Sequence, residues 1–168
     1  MEQIQFSAPD PYPKLEVERP DIPFAKKLLF AFASDKSEMT ATTNYYYRWI
    51  VLQNKNPALS QMMKSLAQVE QKHFETLANL VFLLGYDPKI RTMKNGTPSY
   101  WDAECLDYKK DTKSILTSAI KEEENAYKTY IFLSRQTKDQ KLSRILYRLS
   151  LDEKLHIKIL KTELEKLQ

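Results

Sequence analysis

The sequence predicts an all-α protein: a four-helix bundle in which one long crossover joins helices two and three. Three observations carry this. Proline falls at Pro9, Pro11, Pro13, Pro20, Pro23, Pro57, Pro88 and Pro98 only, leaving 24–56, 58–87 and 99–168 free of it. A proline inside a helix costs about 3 kcal/mol, so these gaps are where long helices can run. Glycine occurs only 2 times in 168 residues, too few for Gly-rich phosphate cradles or a turn-rich β domain. Finally, the connections run short, long, short. Short links make antiparallel neighbours, and a single long one is the mark of a bundle with a crossover.

Residues 1–22 carry four prolines and no apolar periodicity, so they read as an extended arm. The bundle occupies 23–168. Pro23 suits a first helical turn, where its missing N–H is not needed, and helix one is expected from Pro23 to Gln53. Asn54-Lys55-Asn56-Pro57 makes a turn. Helix two follows from Pro57 to Leu84, with Gly85 placed as its C-terminal cap. Residues 86–108 contain Asp87-Pro88, Asn95-Gly96 and Thr97-Pro98, all turn chemistry, and form the crossover. Helix three is expected from about Leu106 to Arg135. After a break at Gln136–Asp139, helix four reaches about Leu167. The expected topology is up-down-down-up, with helices roughly 40 Å long at 1.5 Å per residue.

Composition narrows the function classes. One cysteine, Cys105, excludes an intramolecular disulfide, a redox CxxC pair and any multi-cysteine metal knuckle, and suits a reducing cytoplasm. Mean hydropathy is −0.55, and no run of 18 apolar residues exists, so no membrane partner is expected. The start MEQIQFSAPD lacks a basic stretch followed by an apolar one, so no secretory leader is expected. Net charge is +4. The excess sits in residues 135–168, with nine Lys/Arg against five Asp/Glu. This reads as a solvated helix face rather than a nucleic-acid surface.

The informative feature is polar. Stepping alternately by four and three along helix two gives Leu59, Met63, Leu66, Glu70, His73, Leu77, Leu80 and Leu84. The same walk along helix four gives Leu142, Leu146, Leu149, Glu153, His156, Leu160, Glu163 and Leu167. Both place Glu-x-x-His in the middle of an inward-facing apolar seam, 83 residues apart. Helices one and three carry a second repeat, 85 apart: Glu38, Ala41, Tyr45 and Glu123, Ala126, Tyr130. The chain is therefore two copies of one helical hairpin.

Four carboxylates and two imidazoles at one level of an apolar interior cannot stay charged and unpaired. Desolvation costs several kcal/mol per ion, and crowding of like charges adds to it. No Lys or Arg occupies the seam. A pair of divalent cations would neutralise the layer, and oxygen and imidazole donors suit iron, manganese or zinc. One Glu from each of two helices with Glu-x-x-His from each of the others is the established pattern of di-iron and di-manganese carboxylate bundles. Glu38, Glu70, His73, Glu123, Glu153 and His156 are thus the expected metal ligands. Tyr45 and Tyr130 are expected close outside them, hydrogen-bonded to the ligands. Glu122 and Glu124 read as surface or hydrogen-bonding residues, Tyr46, Tyr47 and Trp49 as core filling, and Cys105 as a passive thiol.

On Glu38–Tyr45, Glu70-Gln-Lys-His73, Glu123–Tyr130, Glu153-Lys-Leu-His156 and the stretch Leu83–Pro88, residues 22–167 resemble the ferritin-like, rubrerythrin-type di-iron family. The resemblance implies that Glu70 and Glu153 bridge two Fe ions, or two Mn ions. Glu38 with His73, and Glu123 with His156, would be terminal ligands, with the pairing open to permutation. It implies reduction of hydrogen peroxide or dioxygen, and a homodimer is expected. Two departures stand out. With one cysteine the chain has no four-cysteine rubredoxin domain, so an external rubredoxin-like electron donor is expected. Some members carry a further carboxylate on helix three, where this chain has Ala126. Iron handling by ferroxidase activity is the alternative function, and a non-catalytic metal-binding bundle the third.

Overall fold

The computed structural model describes residues 5–167. Five helices and one hairpin follow the arm: α1 (Ile22–Ala33), α2 (Glu38–Leu52), α3 (Pro57–Leu83), β1 (Arg91–Lys94), β2 (Thr97–Tyr100), α4 (Thr112–Gln136) and α5 (Gln140–Glu165). α2 packs along α3, and α4 along α5; α1 packs against α3 and β1. The expected four-helix bundle with its long crossover is present. Three boundaries differ.

Helix one is broken in two. Ser34 leaves α1 in an extended conformation, and its carbonyl accepts the hydroxyls of Ser37 at 2.6 Å and Thr40 at 2.8 Å. Ser37 then caps α2. Serine side chains compete with the helical backbone for hydrogen bonds, so this break needs neither Pro nor Gly. It makes Glu38 the first residue of α2.

The crossover holds a two-stranded antiparallel hairpin, with Lys94 opposite Thr97. Asn95 and Gly96 both have positive φ, 51° and 80°, as a two-residue primed turn requires. Helix three begins at Thr112, not near Leu106, because the Asp111 side chain accepts the Ser114 amide at 2.8 Å and caps it there. Residues ahead of the cap lie across α2, where the Asp107 amide donates to Asn44 Oδ1 at 2.9 Å.

Other signals act as expected. Asn56 caps α3 through the Leu59 amide, with Pro57 in the first turn. At the far end Gly85 has φ +85°. Its amide bonds the Phe82 carbonyl and that of Tyr86 bonds Val81, the paired pattern of a glycine C-terminal cap.

The core divides at the polar layer. One apolar cluster holds Phe32, Leu77, Leu80, Leu133, Leu146 and Leu149. The other holds Leu52, Met63, Leu66, Ile115, Ala119 and Leu160. On α3, α4 and α5 alike, the Glu and His seam residues fall between the two. Burial of each large apolar side chain stabilises by roughly 1.5–3 kcal/mol, so the polar layer is clamped from both ends of the bundle.

Candidate metal centre

Glu38, Glu70, His73, Glu123, Glu153 and His156 are all at most 3% exposed. They form two groups that share Glu70 and Glu153: Glu38, Glu70, His73, Glu153, and Glu70, Glu123, Glu153, His156. Within each group the candidate ligand atoms lie within 4.8 Å of one another. The two imidazole centroids are 6.3 Å apart, with planes inclined by 23°. The structure thus brings all six sequence-predicted ligands to one place.

Both imidazoles turn Nδ1 inward. His73 Nδ1 lies 3.2 Å from Glu70 Oε2 and 3.0 Å from Glu153 Oε1. His156 Nδ1 lies 2.8 Å from Glu70 Oε1 and 3.3 Å from both Glu123 Oε2 and Glu153 Oε2. One N–H cannot serve two or three oxygens. Glu38 Oε2, Glu70 Oε1 and both oxygens of Glu153 are buried with no aligned hydrogen-bond donor. Orphaned buried carboxylate oxygens are costly, and oxygens converging with a nitrogen lone pair are what a divalent cation requires. The donor set fits a pair of such ions.

The electrostatics agree. Burial pushes the Glu38 carboxyl well above its ordinary range, and the neighbouring Glu70 and Glu153 charges push it further. Burial and the Glu70 charge do the same to Glu123, with His156 opposing. For Glu70, burial also pushes upward, but His156 and His73 outweigh it and hold the group low. Burial lowers both imidazoles, yet the surrounding carboxylates overcome it and raise them. Without metal the layer can balance charge only by taking up protons.

The tyrosines cross between the repeats. Tyr45 of the first donates to Glu123 Oε1 of the second, and Tyr130 of the second donates to Glu38 Oε1 of the first. Each hydroxyl occupies one oxygen of Glu123 or Glu38 and leaves the other turned to the centre, Glu123 Oε2 beside His156 Nδ1 at 3.3 Å and Glu38 Oε2 without a donor.

The sequence reading missed what lies behind the imidazoles. His73 Nε2 donates to Asp152 Oδ2 at 3.0 Å, and Asp152 accepts from Arg148 Nη1 at 2.7 Å. His156 Nε2 donates to the Phe6 carbonyl at 2.8 Å. Asp152 is a charge one residue before the seam position Glu153, and Arg148 sits four residues before it. That spacing was the available signal; no sequence cue places Phe6.

A pocket of about 90 Å³ opens between α2 and α4, with Glu38, Glu70, Glu123 and Tyr130 among its lining residues. Glu122, expected as a surface or hydrogen-bonding residue, also lines it, and binds buried Arg48 through two bonds of 2.7 and 2.8 Å. Cys105, half-buried, stands at the same pocket.

Fold and polar layer together define a ferritin-like bundle of the di-metal carboxylate class. The Rubrerythrin family model matches residues 28–167, and the chain belongs to that family. Comparison with curated protein sequences returns no match. Among solved structures, KatB, a manganese catalase from Anabaena PCC7120, superposes with a TM-score of 0.84 at 20% identity, over 98% of this chain and 81% of that one. A Rhodobacter capsulatus bacterioferritin gives 0.72 at 18%, over 88% and 86%. The bacterioferritin BfrA of Mycobacterium tuberculosis gives 0.71 at 19%, over 89% and 88%. At such identities the likeness is one of fold.

Proposed function

We propose that this protein is a di-metal oxidoreductase that reduces hydrogen peroxide, or dioxygen, with electrons from an external rubredoxin-like donor. The supporting observation is the six-residue layer with its four orphaned carboxylate oxygens. In this reading Glu70 and Glu153 hold both ions, Glu38 and His73 complete one site, and Glu123 and His156 the other. Two Fe ions, or two Mn ions, would supply the two electrons that split the O–O bond and the positive charge that stabilises the oxygens as they separate.

The chain's own residues do the rest. The pocket beside Glu38, Glu70 and Glu123 is small and lined by acidic groups, which favours a small uncharged substrate such as peroxide over an anion. The apolar clusters on either side limit water. Tyr45 and Tyr130 hold protons on Glu123 and Glu38, within the layer where reduction of peroxide to two waters consumes two protons. The homodimer and the cytoplasmic, reducing setting belong to the same proposal. No described helix is long and apolar enough to cross a membrane.

The test is elemental analysis of the purified chain, followed by peroxide consumption with a reduced rubredoxin as donor. Two Fe or Mn per chain and turnover that Glu70→Ala abolishes are expected. A loaded, reduced protein inert to both peroxide and dioxygen would defeat this reading. The acidic pocket also suits entry of Fe(II), so ferroxidase activity is the second reading. It predicts oxygen-dependent Fe(II) oxidation faster than peroxide-dependent donor oxidation.

A further inference from the structure

From Phe6 onward the arm ahead of α1 is held against the bundle. Phe6 packs against one apolar cluster, while Tyr12 and Val17 pack against the other. The arm therefore bridges the core across the level of the polar layer, on the side of the imidazoles' outer nitrogens. The Tyr12 ring is held between cations, with Lys72 Nζ 3.4 Å and the Arg148 guanidinium 4.1 Å from its centroid. Arg148 Nε donates to the Asp10 carbonyl at 2.6 Å. Its Nη2 donates to the Ala8 carbonyl at 2.8 Å and to Ser7 Oγ at 3.1 Å.

Every outward hydrogen bond of the imidazoles ends on this arm or on a group the arm holds. His156 Nε2 meets the Phe6 carbonyl. A carbonyl can only accept, so Nε2 carries the hydrogen and Nδ1 of the neutral ring presents its lone pair inward. His73 Nε2 meets Asp152. That carboxylate also accepts the Ala8 amide at 2.6 Å, the Ser7 hydroxyl at 3.1 Å and the Tyr12 hydroxyl. Three of its donors thus come from the arm.

We propose that residues 6–12 are a positioning element of the metal centre: the seated arm fixes both imidazoles with Nδ1 toward the ions, and metal retention and arm seating reinforce each other. The inference rests on the di-metal reading above but not on peroxide as the substrate. Partners behind a metal-bound imidazole fix its orientation, and their loss typically weakens metal binding about 10- to 100-fold. Coupling between two binding events is reciprocal, so loading the ions must also hold the arm.

The full chain, labelled with 15N-histidine and titrated with Zn(II) alone, tests this; two histidines give an assignable spectrum. Expected are two imidazoles bound through Nδ1, each with a slowly exchanging Nε2–H. Hydrogen exchange of the Ala8 amide should slow about 10-fold on loading. Tyr12→Phe should speed exchange of the His73 Nε2–H more than that of His156, and speed Zn(II) loss to a chelator about 10-fold. Arg148→Met should release both rings; Tyr12→Phe keeps the test open if that variant does not fold. Binding through Nε2, or two bound Zn(II) with Ala8 exchange unchanged, overturns the proposal and leaves the di-metal reading standing. A chain that takes up no Zn(II) overturns both, whereas failure to consume peroxide touches only the proposed activity.

Discussion

The two hairpins, α2–α3 and α4–α5, match in the residues that face the centre and differ in what stands behind them. Glu38 answers to Glu123, Tyr45 to Tyr130, Glu70 to Glu153 and His73 to His156. The position that answers to Asp152 is Val69, to Arg148 is Ser65, to Arg48 is Leu133, and to Glu122 is Ser37. Each hairpin thus supplies half of the layer, but the buried ion pairs outside it occur once each. Arg148–Asp152 stands behind the imidazoles, and Arg48–Glu122 beside the pocket. The matched set is what two similar ions demand. The unmatched pairs mark where one face of the centre is closed by the arm and another opens to a pocket.

The largest effect expected is at the shared ligands. Because Glu70 belongs to both groups, Glu70→Ala should lose both ions, whereas His73→Ala or His156→Ala should each impair one site more than the other. Ligand present at 100 times its Kd stabilises by about 2.7 kcal/mol per site, so the loaded wild type should exceed Glu70→Ala by roughly 5 kcal/mol in urea unfolding. With chelator present the order should close or invert, since the variant lacks a desolvated carboxylate. Equal loss of metal from all three variants would show that the halves do not bind as two sites.

The ion pairs come next. Asp152 is fully buried, and Arg148→Met removes its guanidinium partner while His73, Ala8, Ser7 and Tyr12 still donate to it, at a cost of about 3 kcal/mol, the low end for a broken buried pair. Glu122 is 30% exposed and can recover water, so Arg48→Met should cost only about 1–2 kcal/mol once solvent screening is allowed for. Chemical denaturation of the two variants side by side reads the difference. Equal losses would mean that Asp152 reaches water through a loosened arm. By contrast, Tyr45→Phe and Tyr130→Phe remove equivalent hydroxyls and should cost nearly the same, about 1–2 kcal/mol each. Thermal unfolding of the metal-loaded protein would expose any inequality between the halves.

Most of the centre was legible because its constraint is periodic. Glu70 and His73 stand inside a run of Leu and Met that the helix itself keeps on one side, and the second copy confirms the register. The break at Ser34–Ser37 was hidden because helix continuity was read from missing prolines, while the serines end α1 through side-chain bonds that leave no periodic trace. The hairpin was hidden for a related reason. Asn95-Gly96 is a strong turn, but Arg-Thr-Met-Lys and Thr-Pro-Ser-Tyr lack the apolar alternation that marks strands. The arm's place over His73 and His156 depends on a backbone carbonyl and on contacts more than a hundred residues away in sequence. No local pattern encodes such contacts.

The smallest expected effect separates the two short turns. Asn56 and Asp139 each cap the second helix of a hairpin, accepting the Leu59 and Leu142 amides at 3.1 and 3.0 Å. Loss of such a cap costs about 1 kcal/mol, and Asn56→Ala should cost that and no more. Asp139 also accepts the Glu18 amide at 2.6 Å, which ties the base of the arm to the turn between α4 and α5. Asp139→Ala should therefore cost about 0.5–1 kcal/mol more, the worth of one further exposed hydrogen bond. Equal urea midpoints for the two variants would mean that the bond from the Glu18 amide contributes nothing, and that the base of the arm is held by its other contacts, the Gln140 amide on Glu18 and the packing of Val17.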